Sequence, residues 1–356
     1  LIVKEIQVAT VSRMNWALMV LCALAVVCAG CKKSETTSKT GSHDSSETLS
    51  ESAANEGAVT LRVKWPVGNR YTHRMEVNGD TETHVPQMPK PMHQKMNLNQ
   101  EYNINVVAER PQGGRELELE YESAEIDVTM NGKPVVNLDT KAEASPVESS
   151  NPTLASFRQI VGAKIKFLLD ASNRVEKVEG VPEFSAKATA GANPQGRAAM
   201  QSMFSEDYFK QMVDSQRSLP PKPVKVGDSW PMRTDIAMAA FGTMHIDMDY
   251  TFKGWEQHDK RKCAALDFAG TISATGNTNA NQPGMSMQIE AGKMGGRTWF
   301  DPDLGAIVES SFDQDLLIYI SVPGRASKEG AAMQTITNNT KQKVVIKLVD
   351  VVSAAK

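Results

Sequence analysis

Two stretches of the chain carry residue types that could bind a metal. Met88, Met92, His93 and Met96, with His84 ahead of them, combine thioether and imidazole donors, a set that suits copper. Pro86, Pro89 and Pro91 predict a stiff loop there. Plain packing is the other reading, because a chain with 18 Met is expected to hold local clusters of them. Further on, His245, Asp247 and Asp249 alternate with Met244, Ile246 and Met248. On a strand this puts one imidazole and two carboxylates on a single face, close enough to share an ion. The solvated face of an amphipathic strand explains the same letters. Asp301-Pro302-Asp303-Leu304-Gly305 opens like a calcium loop but lacks the further oxygen ligands and the closing Glu. A type I turn with Pro at its second position fits better, and Asp170-Ala171-Ser172-Asn173 gives a parallel turn.

Signatures of catalysis are missing. There is no Gly-x-Ser-x-Gly, His-Glu-x-x-His, phosphate loop, paired Cys motif or dinucleotide fingerprint. Ser and Asp are abundant and six His are present, so a hydrolase whose site is assembled only by the fold stays an alternative. No cofactor is expected.

The strongest chemical signal lies near the start. Trp16–Val27 is an uncharged apolar run of signal-peptide length, too short to span a membrane. Cys28-Ala29-Gly30-Cys31 follows it and resembles a bacterial lipobox, with Cys28 where Leu is usual. The expected cut lies between Gly30 and Cys31, and the expected lipid attachment is on Cys31. A plain secretory signal or an uncleaved anchor is the competing reading. Lys32 follows in place of the Asp associated with inner-membrane retention, so the resemblance implies the outer membrane. Residues 32–57 are Ser, Thr and Glu-rich with almost no large apolar side chain, which predicts a disordered tether.

Without residues 1–31 the formal charge is −4, with both signs mixed along the chain. Nucleic acid is therefore not an indicated partner. Only Cys263 remains of the four cysteines, so no intramolecular disulfide is possible after cleavage. Cys263 is expected at a strand start.

The remaining chain is long enough for two domains or one large β structure. From Val59 onward the apolar residues recur with period two. Leu61, Val63 and Trp65 share a face, as do Tyr71, His73, Met75 and Val77, and then Met96, Leu98, Tyr102, Ile104 and Val106. Leu117, Leu119 and Tyr121 alternate, but the parity then shifts to Ala124, Ile126, Val128 and Met130, which predicts a bulge near Glu122 and Ser123. Asn151 and Pro152–Gly162 predict a short helix, and a longer one is predicted over residues 194–218. Leu316–Val322 and Val344–Val351 predict two last strands around a polar loop.

The order of elements after the second helix echoes the order before it. Val226-Gly227-Asp228-Ser229-Trp230 parallels Val67-Gly68-Asn69-Arg70-Tyr71, and the strand-Asp-turn hairpin at Asp301 parallels that at Asp170. The expected fold is mainly β (α+β): long antiparallel strands in two similar, duplicated curved sheets, residues 58–192 and 219–356, with the helix of 193–218 between them. Gly227, Asp228 and Trp230 are read as structural, Gly227 for an unusual backbone angle and Trp230 as a core plug.

Leu219-Pro220 with Val224-Lys225-Val226-Gly227-Asp228-Ser229-Trp230, and Lys166-Phe167-Leu168-Leu169-Asp170 with Val178-Glu179-Gly180, resemble an uncharacterised family of bacterial lipoproteins. The resemblance covers roughly residues 60–353. It implies a lipobox signal, a polar tether and a β-rich body, and carries over no catalytic residue. The leading expectation is a non-enzymatic, lipid-anchored envelope protein that binds an apolar ligand, such as lipid or an acyl chain, or an envelope protein partner. A periplasmic copper-binding protein using the Met/His stretch is the alternative.

Overall fold

A computed structural model describes residues 57–353, except 87, 146–147, 149–151, 191–203, 205, 214–217, 239–241, 276–285 and 328–329. Gly30, Cys31 and nearly all of the expected tether lie outside the described residues.

Twelve strands form one antiparallel sheet. They are β1 (Arg70–His84), β2 (Met92–Glu109), β3 (Arg115–Met130), β4 (Lys133–Asp139), β5 (Lys164–Leu169), β6 (Val175–Glu179), β7 (Ser229–Met238), β8 (Gly242–His258), β9 (Arg261–Thr275), β10 (Ser286–Asp301), β11 (Ala306–Ser327) and β12 (Gly330–Val352). Their order is β6-β5-β3-β2-β1-β12-β11-β10-β9-β8-β7, with β4 beside β3. Among the described residues three helices accompany them: α1 (Pro152–Gln159), α2 (Val181–Ala188) and α3 (Glu206–Val213).

The two expected sheets are thus one. The last strand, β12, pairs with β1 on one side and β11 on the other, and so joins the two halves. The expected polar loop between the last strands is also strand: β11 and β12 pair continuously up to the register Ser327↔Gly330 apart from one irregularity. Their inward residues there include Asn338, Thr340 and Gln342, which are buried although polar, so apolar periodicity could not reveal them. Leu61, Val63 and Trp65 are buried as expected, but their segment is not a strand; only Val59 forms a bridge, to Val224. Of the long helix expected over 194–218, the described residues form only α3, with Phe204 in a bend and Ser218 in a 3-10 turn, and α2 lies outside the expected helices. The bulge is where the parity shift put it: Glu101 pairs with Ser123 and Tyr102 with Tyr121, leaving Glu122 extra.

Inward residues alternate with outward ones along the strands, and the inward set makes one apolar core. The outward register is set by charge. Cross-strand partners give the row Lys95, Asp80, Lys341, Asp315, Lys293 across β2, β1, β12, β11 and β10. A slip of one residue would turn these charges into the core, so the row fixes the register.

Glycine bends the C-terminal strands. A Cβ on Gly270 would sit 1.9 Å from the Asp247 carbonyl oxygen, and one on Gly296 2.1 Å from that of Ser311. Only glycine allows such approach. The sheet curls until both edge strands, β6 and β7, pack against α3. The helix covers edges that would otherwise offer unpaired backbone groups.

The two glycine turns carry the same hydrogen bonds. Gly68 N–H donates to Val106 O (2.8 Å) and Val106 N–H to Asn69 O (2.8 Å). Gly227 N–H donates to Phe252 O (2.7 Å) and Phe252 N–H to Asp228 O (2.9 Å). Register shifts follow at Val106/Ala108 and at Phe252/Gly254. The two Asp turns also agree, each carboxylate oxygen accepting two backbone N–H groups: Ser172 and Arg174 at Asp170, Asp303 and Leu304 at Asp301.

Candidate functional site: an aromatic-lined interior cavity

The structure separates the expected copper donors. Met92 and Met96 lie on β2 and point into the core, at 2% and 0% exposure. His93, between them in the alternation, is on the outer face, with its Nδ1 3.5 Å from Glu82. His84 also pairs with Glu82, at 2.5 Å. The expected stiff loop ends at Pro91, and the strand that follows sends thioether and imidazole to opposite faces. Met88 packs on the core from outside the strand.

The second expected cluster is on one face, as the alternation requires, but each member is already paired. His245 Nδ1 is 2.6 Å from Asp235, and Asp247 is 2.9 Å from the Arg233 guanidinium, which also reaches Asp249 at 3.5 Å. Asp301 is buried, accepts the turn N–H groups and meets Arg261 at 3.0 Å, so it is the turn residue rather than a calcium ligand. Gly227 has φ 93° and Asp228 accepts the Lys225 N–H. Trp230 is buried, stacks on Tyr250 and donates its indole N–H to Ser218 O at 3.1 Å. Cys263 is buried near the start of β9, and burial pushes its thiol up to about 11.

A group the sequence did not point to surrounds His258. Its ring stacks on Trp299 (4.3 Å, 12°) and its Nε2 lies 3.1 Å from Glu309. His258, Asp259 and Glu309 bring three possible ligand atoms within 4.8 Å of one another. Lys347 already stands there, its ammonium 2.6 Å from Asp259 and 3.5 Å from Glu309. The hydrogen bond from Lys347 holds the Asp259 carboxyl below its ordinary range, and Asp259 raises the Lys347 amine. The cluster is an ion-pair network with its cation built in.

The interior offers the better site. A cavity of about 100 Å³ lies between the arms of the curled sheet. Its wall is aromatic and aliphatic: Trp65, Tyr71, Tyr102, Tyr250, Phe268 and Phe312 come from distant parts of the chain, and Met232 and Met294 complete it. Few polar groups converge on it. Thr298 and Ser310 hydroxyls bond to each other at 2.9 Å. His73 is the cavity's imidazole, aimed inward where the β1–β12 register shifts between Thr72 and His73. It stacks on Tyr102 (5.3 Å, 11°), and its buried Nδ1 has no hydrogen-bond partner. Burial lowers its pKa to about 4, opposed by the Tyr71 backbone, so the ring is neutral at pH 7. An apolar hollow with a few converging polar groups and a perturbed titratable residue is the general form of a small-molecule site. The sequence placed Tyr71, His73, Tyr102 and Ile104 inward, but nothing local marks a wall drawn from eight strands.

Residues 112–307 match a family model described as a family of unknown function, DUF6263. No curated protein matches the chain. Among solved structures, lipovitellin, in a study of its lipid–protein interactions, has a TM-score of 0.40 at 9% identity, over 82% of this chain. This chain spans about a quarter (26%) of the lipovitellin chain. DynF from the dynemicin biosynthesis pathway of Micromonospora chersina has a TM-score of 0.18 at 6% identity, covering 85% of this chain and 92% of that one. An outer membrane channel from Pseudomonas putida F1 has a TM-score of 0.14 at 9% identity, covering 81% and 100%. No ligand or partner passes to this chain from likenesses at these scores.

Proposed function

Because the chain belongs to DUF6263, a family of unknown function, we propose its role from its interior: a non-enzymatic binding module of the bacterial cell envelope, anchored by lipid on Cys31, that takes a small apolar group into the cavity. The observation that carries the reading is the aromatic and methionine-lined hollow beside the apolar core. The volume limits the ligand. About 100 Å³ admits several waters or a benzene-sized group, not a whole acyl chain. Met232 and Met294 are unbranched and adaptable, which suits a wall that reshapes around a guest.

The sequence supports the non-enzymatic part by lacking catalytic signatures, and the envelope part by its lipobox-like stretch and by Lys32. The matching turns, bulges and Asp hairpins support a tandem of two similar units joined through β12. The copper reading has lost its donor set, since Met92 and Met96 point away from His93.

The cavity is tested with benzene as the probe. Benzene-saturated buffer should raise the unfolding temperature of the protein, because a guest bound only by the folded state stabilises it by mass action. Ala306→Leu, which fills the hollow from its wall, should abolish that rise. Identical unfolding temperatures with and without benzene in the unaltered protein would sink the proposal.

A further inference from the structure

Deepening that reading and resting on it, we infer that the cavity continues into a polar subsite formed by the side-chain amides of Gln342 and Gln314, and that the ligand is a neutral molecule joining a small apolar group to an amide, carbonyl or hydroxyl. The two glutamines are direct cross-strand partners on β12 and β11, and both are 3% exposed. Residues so paired on one face touch. Gln342 has no partner for either its Oε1 or its Nε2, and Gln314 has none for its Oε1. The Gln314 Nε2 reaches only the Met294 sulfur, at 3.4 Å, and a thioether is a weak acceptor.

His73 Nδ1 and Asn99 Oδ1 also lack partners, but each is a single atom, and the polar residues nearest the two glutamines on β12 are paired. Thr81 and Thr340 share a hydrogen bond of 2.8 Å, and Thr83 donates to Asn338 at 2.7 Å. Unmatched buried amides are costly, so their concentration in one row calls for an occupant. The row runs Met96, Gly79, Gln342, Gln314, Met294 across five strands.

Two features join this row to the cavity. Met294 both lines the cavity and contacts Gln314. Phe312, also in the wall, is the preceding inward residue of β11. Met294 therefore forms a partition that a rotation of its flexible side chain would open. On the far side, Gly79 presents no side chain to Gln342: a Cβ there would already be in contact, 3.6 Å from the Gln342 Cγ. The chemistry of the occupant follows from the groups. Two amides supply donors and acceptors but no charge, so an ionised head group would lose its hydration without a counter-ion.

The test compares benzamide and benzene by titration calorimetry on the full chain and on Gln342→Met and Gln314→Met. Benzamide should bind the unaltered protein about 10-fold tighter than either variant, the loss of about one net hydrogen bond. Benzene should bind all three alike. Both variants should fold at least as stably as the parent, because methionine removes an unmatched amide at similar volume; whichever folds carries the comparison. Equal benzamide affinity in parent and variant would overturn the inference, the amides then holding water only, while benzene binding would keep the cavity reading intact. Failure of benzene as well would remove both.

Discussion

His73 shows how one residue can record the interior on a pH scale. Its ring is aimed inward by the β1 alternation, stacked on Tyr102 and lowered to about 4 by burial. In the unfolded chain the same imidazole titrates near 6.5. Between those values the unfolded state binds the proton and the folded state does not. Stability is therefore fully present above pH 6.5 and is lost as pH falls toward 4, below which the difference is constant. A shift of this size corresponds to about 3 kcal/mol over the whole window. His73→Phe keeps the aromatic stack and removes the titration. Its urea-unfolding free energy should fall less than that of the parent between pH 7 and pH 4, by up to that amount. Parallel losses in the two proteins would show that His73 is hydrated in the folded state.

At the scale of elements, the two glycine turns make the case for a repeated unit testable. Gly68 and Gly227 have φ of 84° and 93°, and each is third in a turn closed by a backbone bond, Asn69 N–H to Pro66 O and Asp228 N–H to Lys225 O. A left-handed residue in that place favours glycine. A Cβ on Gly227 meets nothing within 4 Å, so Gly227→Ala pays the backbone term alone, about 1–2 kcal/mol. If the turns are copies, Gly68→Ala destabilises by the same amount in chemical denaturation. A Gly68 variant that unfolds like the parent would break the equivalence. These turns, the bulge at Glu122 and the strands from Tyr71 to Met130 were legible in the sequence because apolar residues there alternate cleanly. The polar stretch of β12 was not: Asn338, Thr340 and Gln342 face inward, so the pattern that marks a strand is absent where the interior is polar. The single sheet depends on β1 meeting β12 from opposite ends of the body, a pairing that no local pattern encodes. The cavity was hidden for the same reason, its wall being gathered from segments between Val63 and Ile346.

The described sheet is largely apolar on its inner face and charged on its outer face, and that polarity bears on how it can meet a membrane. The outer row of Lys95, Asp80, Lys341, Asp315 and Lys293 crosses the middle of the sheet. A membrane-spanning barrel carries the reverse alternation, with an apolar band facing lipid. Among the described residues no helix is long and apolar enough to cross a bilayer. In the proposed reading the body is attached through Cys31, which a polar stretch of sequence separates from Val59. Diacylation or triacylation of that thiol should appear as added mass on the N-terminal peptide of protein extracted from bacterial membranes. One chain alone binds a membrane only marginally, whereas two or three hold firmly. Cys31→Ser should accordingly move the protein from the membrane fraction to the soluble envelope fraction, with its unfolding temperature unchanged. A Cys31→Ser protein that stays with the membrane after high-salt washing would place the attachment in the body itself. An unaltered protein still carrying residues 1–31 would remove the anchor altogether.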